Sequence, residues 1–193
     1  MPATPARSKY DALIDALDAE GERAPLRAVA RLRKAGASAV PPLKARFDAA
    51  KHPRLRRWIA NALGEIGDRR ALPLLKRAVK DQQMSVRLHA MEALEKFGDR
   101  SLWPVLRPLL ADPSGGIRAR TISAVARLGW RQAVPALRKQ SLRDEKWYVR
   151  QYAAQALAAL GAKVASADLV ALREDPSKAV RNAAEKALRQ LKA

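Results

Sequence analysis

The chain has 193 residues, no cysteine, and 38 Lys+Arg against 19 Asp+Glu, for a formal net charge of +19 and a pI near 11.1. The missing cysteines exclude a disulfide framework, a thiolate nucleophile and a cysteine-ligated metal site. The charge attracts polyanions and speeds encounter with them, but says nothing about fold.

The opening residues, "MPATPARSKY", lack the apolar stretch of a secretory signal. The uncharged run from Gln151 to Ala162 is too short and too polar to span a membrane. A cytoplasmic location and no membrane partner are therefore expected, with residues 1–9 flexible. Helical spacing of apolar residues then predicts an all-α chain of six helix pairs. The first helix covers 10–19, with Ser8 and Asp11 as a capping pair, and its partner covers 25–35. The next pairs cover 38–50 with 54–65, 69–79 with 84–97, 100–111 with 116–128, 131–142 with 147–160, and 164–174 with 178–191.

In the third pair, Leu72, Leu75 and Val79 share one face, behind Asp68 as N-cap and an early proline. In its partner, Val86, Ala90, Leu94 and Phe97 make the second stripe, and Gly98 stands where a left-handed residue ends the helix. The glycines of "DPSGGIRAR" (112–120) predict a late start for the fourth partner helix, with free amides that would suit a phosphate. In the last pair Ser166 stands as a cap where a proline is expected.

The pairs repeat. Gly36, Gly67, Gly98, Gly129 and Gly161 fall 31, 31, 31 and 32 residues apart. Arg56, Arg87, Arg118, Arg150 and Arg181 follow the same period, as do Pro42, Pro73, Pro104 and Pro135. A fixed period of this size marks a solenoid of stacked units. The whole chain, 1–193, is read as one array with 10–35 and 164–193 as its capping pairs.

The segments "VRLHAMEALEKFGD", "VRQYAAQALAALGA" and "VRNAAEKALRQL" resemble HEAT repeats of the short type found in phycobilisome-lyase-like proteins. The resemblance covers about residues 25–193 and implies a right-handed α-solenoid with the second helices on its concave surface. It also implies a structural ladder of Asp81/Arg87, Asp112/Arg118, Asp144/Arg150 and Asp175/Arg181, each six apart. Arg56 departs from it, because Ala50 stands where its aspartate should be.

In "LRRWIANALGEIGD" (55–68) the core stripe is Leu55, Ile59, Ala62, Leu63 and Ile66, which leaves Arg57 and Trp58 on the other side. Trp58 is thus expected on the concave surface. Stepping by one repeat gives the column Arg27, Trp58, His89, Arg120 and Tyr152. Neighbouring columns and helix starts add Arg54, Arg57, Lys96, Arg127, Trp147 and Tyr148. This mix of cations and aromatics suits a nucleic acid, whose phosphates and bases it matches. It also suits an acidic protein, since Trp, Tyr and Arg anchor protein interfaces.

The outer helices are basic too: between Arg100 and Arg143 the only acid is Asp112. Their cations, Arg77 and Arg138 among them, are read as a solvated face.

Catalytic chemistry is not legible. HEAT-type iron hydroxylases carry repeated His–Glu dyads, and His52 and His89 form none. His89 and Glu92, near Trp58, resemble the carboxylate-and-aromatic site of a HEAT-like alkylpurine DNA glycosylase, but are read as a surface i, i+3 pair. The sequence reading is a monomeric, non-enzymatic binding module with no cofactor, metal or small-molecule substrate. Its first-ranked partner is nucleic acid and its second an acidic protein.

Overall fold

A computed structural model describes residues 8–192, and among these no strand occurs. Of the segment expected to be flexible, 1–7 lies outside the described residues. The Ser8 amide donates to Asp11 Oδ2 at 3.0 Å, but the N-cap of the first helix is Tyr10, without a side-chain cap bond, so the pair closes the turn before the helix instead of capping it. The six expected pairs are present. They are α1 (Asp11–Asp15) with α2 (Arg23–Ala35), α3 (Val40–Ala49) with α4 (Pro53–Ile66), and α5 (Leu72–Ala78) with α6 (Met84–Lys96). Then follow α7 (Trp103–Leu106) with α8 (Gly115–Arg127), α9 (Val134–Lys139) with α10 (Trp147–Ala159), and α11 (Ser166–Ala171) with α12 (Lys178–Lys192).

The odd helices are shorter than their apolar stripes suggest, because 3₁₀ turns extend them. Asp68 and Asp99 each cap such a turn, accepting from the amides of Arg70 and Ser101 at 2.8 and 2.9 Å. The turn moves the repeated proline to the first turn of α5 and α7, where its missing N–H costs nothing. The even helices end at the periodic glycines, whose φ values of 61–71° require a residue without Cβ.

The chain divides into two compact units, Met1–Gly98 and Asp99–Ala193. The first holds α1–α6 around Leu17, Leu32, Leu43, Ile59, Leu75 and Leu94, none more than 1% exposed. Its even helices approach closely: a Cβ on Gly64 of α4 would come within 2.6 Å of Ala93 Cβ on α6. The second holds α7–α12 around Leu102, Leu106, Ile122, Leu137, Leu157 and Leu169, also at most 1% exposed. Trp130 is buried here as well, its amide bonded to the Val125 carbonyl at 3.0 Å.

The repeated Asp and Arg lock successive pairs together, in a pattern that corrects the six-apart pairing of side chains. Six residues apart, the arginine meets the aspartate's backbone carbonyl: Arg87 Nη1 to Asp81 O at 3.0 Å, Arg118 to Asp112 at 2.8 Å, and Arg150 to Asp144 and Arg181 to Asp175 at 2.7 Å. The carboxylate instead receives the arginine of the preceding pair. Arg56 grips Asp81 at 2.8 and 3.1 Å, Arg118 grips Asp144 at 2.6 and 2.8 Å, and Arg150 grips Asp175 at 2.7 and 2.8 Å. Arg56 therefore keeps its rung, since the Ala50 carbonyl, at 3.1 Å, serves as well as an aspartate's.

Burial pushes Asp81 and Asp144 up, but the guanidinium and a turn amide outweigh it and hold both carboxyls below their ordinary range. At Asp175 the Arg150 guanidinium is the largest influence and acts the same way.

Two local expectations change. Helix α8 begins at Gly115, not late, because Gly115 is buried and leaves room for Tyr148, whose hydroxyl would lie 2.3 Å from an added Cβ. Asp112 accepts the Ser114 amide at 2.8 Å, so that N–H is not free for a phosphate. Ser166 does not cap: it is the first residue of α11, and its hydroxyl donates to the Lys163 carbonyl at 2.7 Å.

Candidate partner-binding surface

The expected binding residues fall on the even helices and divide between the two units. In the first unit, Arg27 on α2 is exposed. Arg54 is exposed at the start of α4, its Nη1 3.4 Å from the Asp18 carbonyl. Lys96 is exposed but bonded to Glu65, which also lies 4.0 Å from Arg33. His89 is half-buried, with Nδ1 2.8 Å from the Ser85 carbonyl.

Trp58 corrects the sequence reading, being only 4% exposed. The Arg57 guanidinium lies over its ring at 5.2 Å, and the His89 ring stands 6.1 Å away at a tilt of 58°. Among the described residues, neither Trp58 Nε1 nor Arg57 Nε finds an acceptor. A helical wheel drawn against one core stripe misses this burial. Helix α4 has α2 on one flank and α6 on the other, besides α3. Its buried arc thus also takes in Trp58, Ala60 and Gly64.

In the second unit the aromatics of α10 reach the surface. Trp147 and Tyr152 of α10 are 48% and 43% exposed. Tyr148 is half-buried and meets the Trp147 ring edge-on at 5.8 Å. Arg120 and Arg127 on α8 are exposed. Rings this large with nearly half their surface in water are candidate contact points. Four further apolar groups are exposed: Leu26 of α2 at 52%, Met84 of α6 at 51%, Val164 at 63% and Val170 of α11 at 52%. Leu26 precedes Arg27 in the columns of the even helices, whereas sequence reasoning missed Met84, Val164 and Val170.

The outer cations are largely solvated as expected, Arg77 with 62% of its side chain exposed, but several are paired with acids. Arg46 bonds Asp15 and Arg77 bonds Asp48 in the first unit, and Arg138 bonds Asp168 in the second. Each joins one helix pair to the next. Among the described residues no cluster of three or more His, Cys, Asp or Glu could hold a metal, and no helix is long and apolar enough to cross a membrane.

The class this architecture defines is the HEAT-repeat solenoid. HEAT repeats match at residues 10–95, 40–124, 74–140 and 103–189, and the chain belongs to that family. No curated protein sequence matches it. Among solved structures it is similar to the complex of CpcE and CpcF of phycocyanin lyase from Nostoc sp. PCC7120, at 24% identity and a TM-score of 0.59, over 100% of this chain and 81% of that one. It is also similar to a designed armadillo repeat protein in complex with the peptide (KR)4, at 18% identity and a TM-score of 0.62, over 95% of this chain and 100% of that one. A second designed armadillo repeat protein is 19% identical with a TM-score of 0.59, over 95% and 100% of the two chains. Likeness at these identities establishes the fold alone.

Proposed function

We infer that the six helix pairs act as one non-enzymatic binding array for an acidic macromolecule, and that its first-ranked partner is an acidic protein seated on the even helices. The observation that carries this is the exposure of Trp147 and Tyr152 on α10, at 48% and 43%, in a chain of net charge +19. Exposed aromatics together with arginines are the usual anchors of a protein interface. Two similar structures are themselves assemblies with protein or peptide, the CpcE–CpcF complex and the armadillo protein holding (KR)4. That peptide is basic, whereas the charge here selects the opposite sign.

Nucleic acid is the second reading, favoured by the excess of 38 basic over 19 acidic side chains. On the even helices it loses Trp58 as a stacking platform, because that ring is buried.

The test is capture from nuclease-treated extract on immobilised wild-type chain and on Trp147→Ala/Tyr152→Ala. The proposal expects acidic proteins on the wild type, released by salt and absent from the double variant. Equal capture by both, with the variant folded by circular dichroism, would refute it.

A further inference from the structure

A groove on the odd helices of the second unit departs from the pattern that the other repeats set. It is lined by Trp103 of α7 and Arg107 just after it, by Pro135, Ala136 and Lys139 of α9, and by two glutamines. No carboxylate lines it.

The other repeats act as a control. Lys139 stands in register with Arg46 and Arg77, three and two periods further along the chain, and both of those are held by an acid of the preceding pair, Asp15 and Asp48, 31 and 29 residues before them. The positions 31 and 29 residues before Lys139 are Pro108 and Leu110. Neither is an acid, and no carboxylate lines the groove beside Lys139. Trp103 departs in the same place. Its neighbours in register are Leu72 and Val134, both buried, whereas Trp103 is partly exposed, and Pro41, one period before Leu72, is exposed as well. A cation without its acid and an indole in place of an aliphatic side chain meet in one groove, which structural economy does not require.

We propose that this groove binds single-stranded nucleic acid, one base stacking on Trp103 and the flanking phosphates meeting Arg107 and Lys139. A planar ring and two cations in one groove match the bases and phosphates of a single strand, and stacking on an indole tolerates any base. An acidic peptide would use the two cations but leave the ring without a planar partner. The site lies on helices other than those assigned to the protein partner and does not depend on that assignment.

The experiment is fluorescence anisotropy of a labelled oligothymidylate at low salt, titrated with wild type, Trp103→Leu and Arg107→Ala/Lys139→Ala. Leucine already occupies the Trp103 register position at Leu72, which makes it the conservative replacement, and circular dichroism checks that the variant is folded. Loss of the stack weakens binding about tenfold, within the range for base–aromatic stacking. The double variant also flattens the log–log salt dependence by about 1.4, two single-strand phosphate contacts at about 0.7 each. Arg77→Ala and Trp147→Ala/Tyr152→Ala leave the titration unchanged, which separates failure here from failure of the even-helix reading. No binding by wild type overturns the proposal, as does wild-type affinity in folded Trp103→Leu, or displacement of the oligonucleotide by polyglutamate at equal charge. If Trp103→Leu loses its helical signal, the double variant decides: unchanged affinity and salt slope overturn the proposal.

Discussion

Trp58→Ala separates a buried ring from an exposed one. The residue is 4% exposed, with α2 and α6 flanking its helix. Truncating a buried tryptophan costs about 3–5 kcal/mol through lost transfer energy and the cavity left behind. One credit stands against that. Among the described residues the indole N–H has no acceptor, and removing a buried unsatisfied donor returns about 1 kcal/mol. The net loss is about 2–4 kcal/mol. For a chain of this size that lowers the melting temperature by about 5–15 °C. Trp58→Phe is the control, since it keeps a ring under Arg57 and removes the orphaned N–H; its expected cost is below about 1.5 kcal/mol. The assay is urea denaturation followed by circular dichroism for all three chains, alongside thermal melts. A Trp58→Ala loss under about 1 kcal/mol, or a Trp58→Phe loss equal to it, would refute the packing argument.

Other outcomes follow from the same geometry. Arg118→Ala strips Asp144 of its two guanidinium bonds and leaves a carboxylate only 9% exposed, so a loss of about 3–5 kcal/mol is expected in urea denaturation. Arg118→Lys recovers only part of this, because an ammonium cannot also reach the Asp112 carbonyl in the same fork geometry. Gly64→Ala drives a methyl against Ala93 Cβ and Cα, at 2.6 and 2.7 Å. The clash, about 1–3 kcal/mol, exceeds the gain in helix propensity of under about 1 kcal/mol, so the urea midpoint falls.

Asp81, Asp144 and Asp175 of the ladder have lowered pKa values. Their stabilisation is therefore fully present above the unfolded-state value near ~4 and is lost as pH falls toward the folded-state values. A urea midpoint measured at neutral and at acid pH should fall in acid, and fall less in Arg150→Met, which lacks one rung.

The period of 31 made the fold legible, because Gly, Pro and Arg recur at positions where a left-handed residue, a first-turn φ and a carbonyl clamp are each required. What spacing within one repeat could not convey was contact between repeats. The ladder appeared as Asp and Arg six apart, yet the carboxylate bonds run 25 or 26 residues back to the previous pair. Trp58 was misplaced for the same reason, since the wheel of α4 records its core stripe but not the helices on its flanks. Arg77 stays solvated and Arg138 is half-buried, but the acids they pair with lie 29 and 30 residues away, outside the pattern of one repeat. Trp147 and Tyr152 were legible because α10 presents them off every packed flank.

The most direct test of the central claim is photo-crosslinking from the even-helix face. Benzoylphenylalanine in place of Tyr152, activated in whole extract, should join the chain to an acidic protein, giving a product that protease removes and nuclease does not. A Tyr152 product that nuclease digests, or none there while the same group at Arg77 captures the acidic protein, would contradict the account.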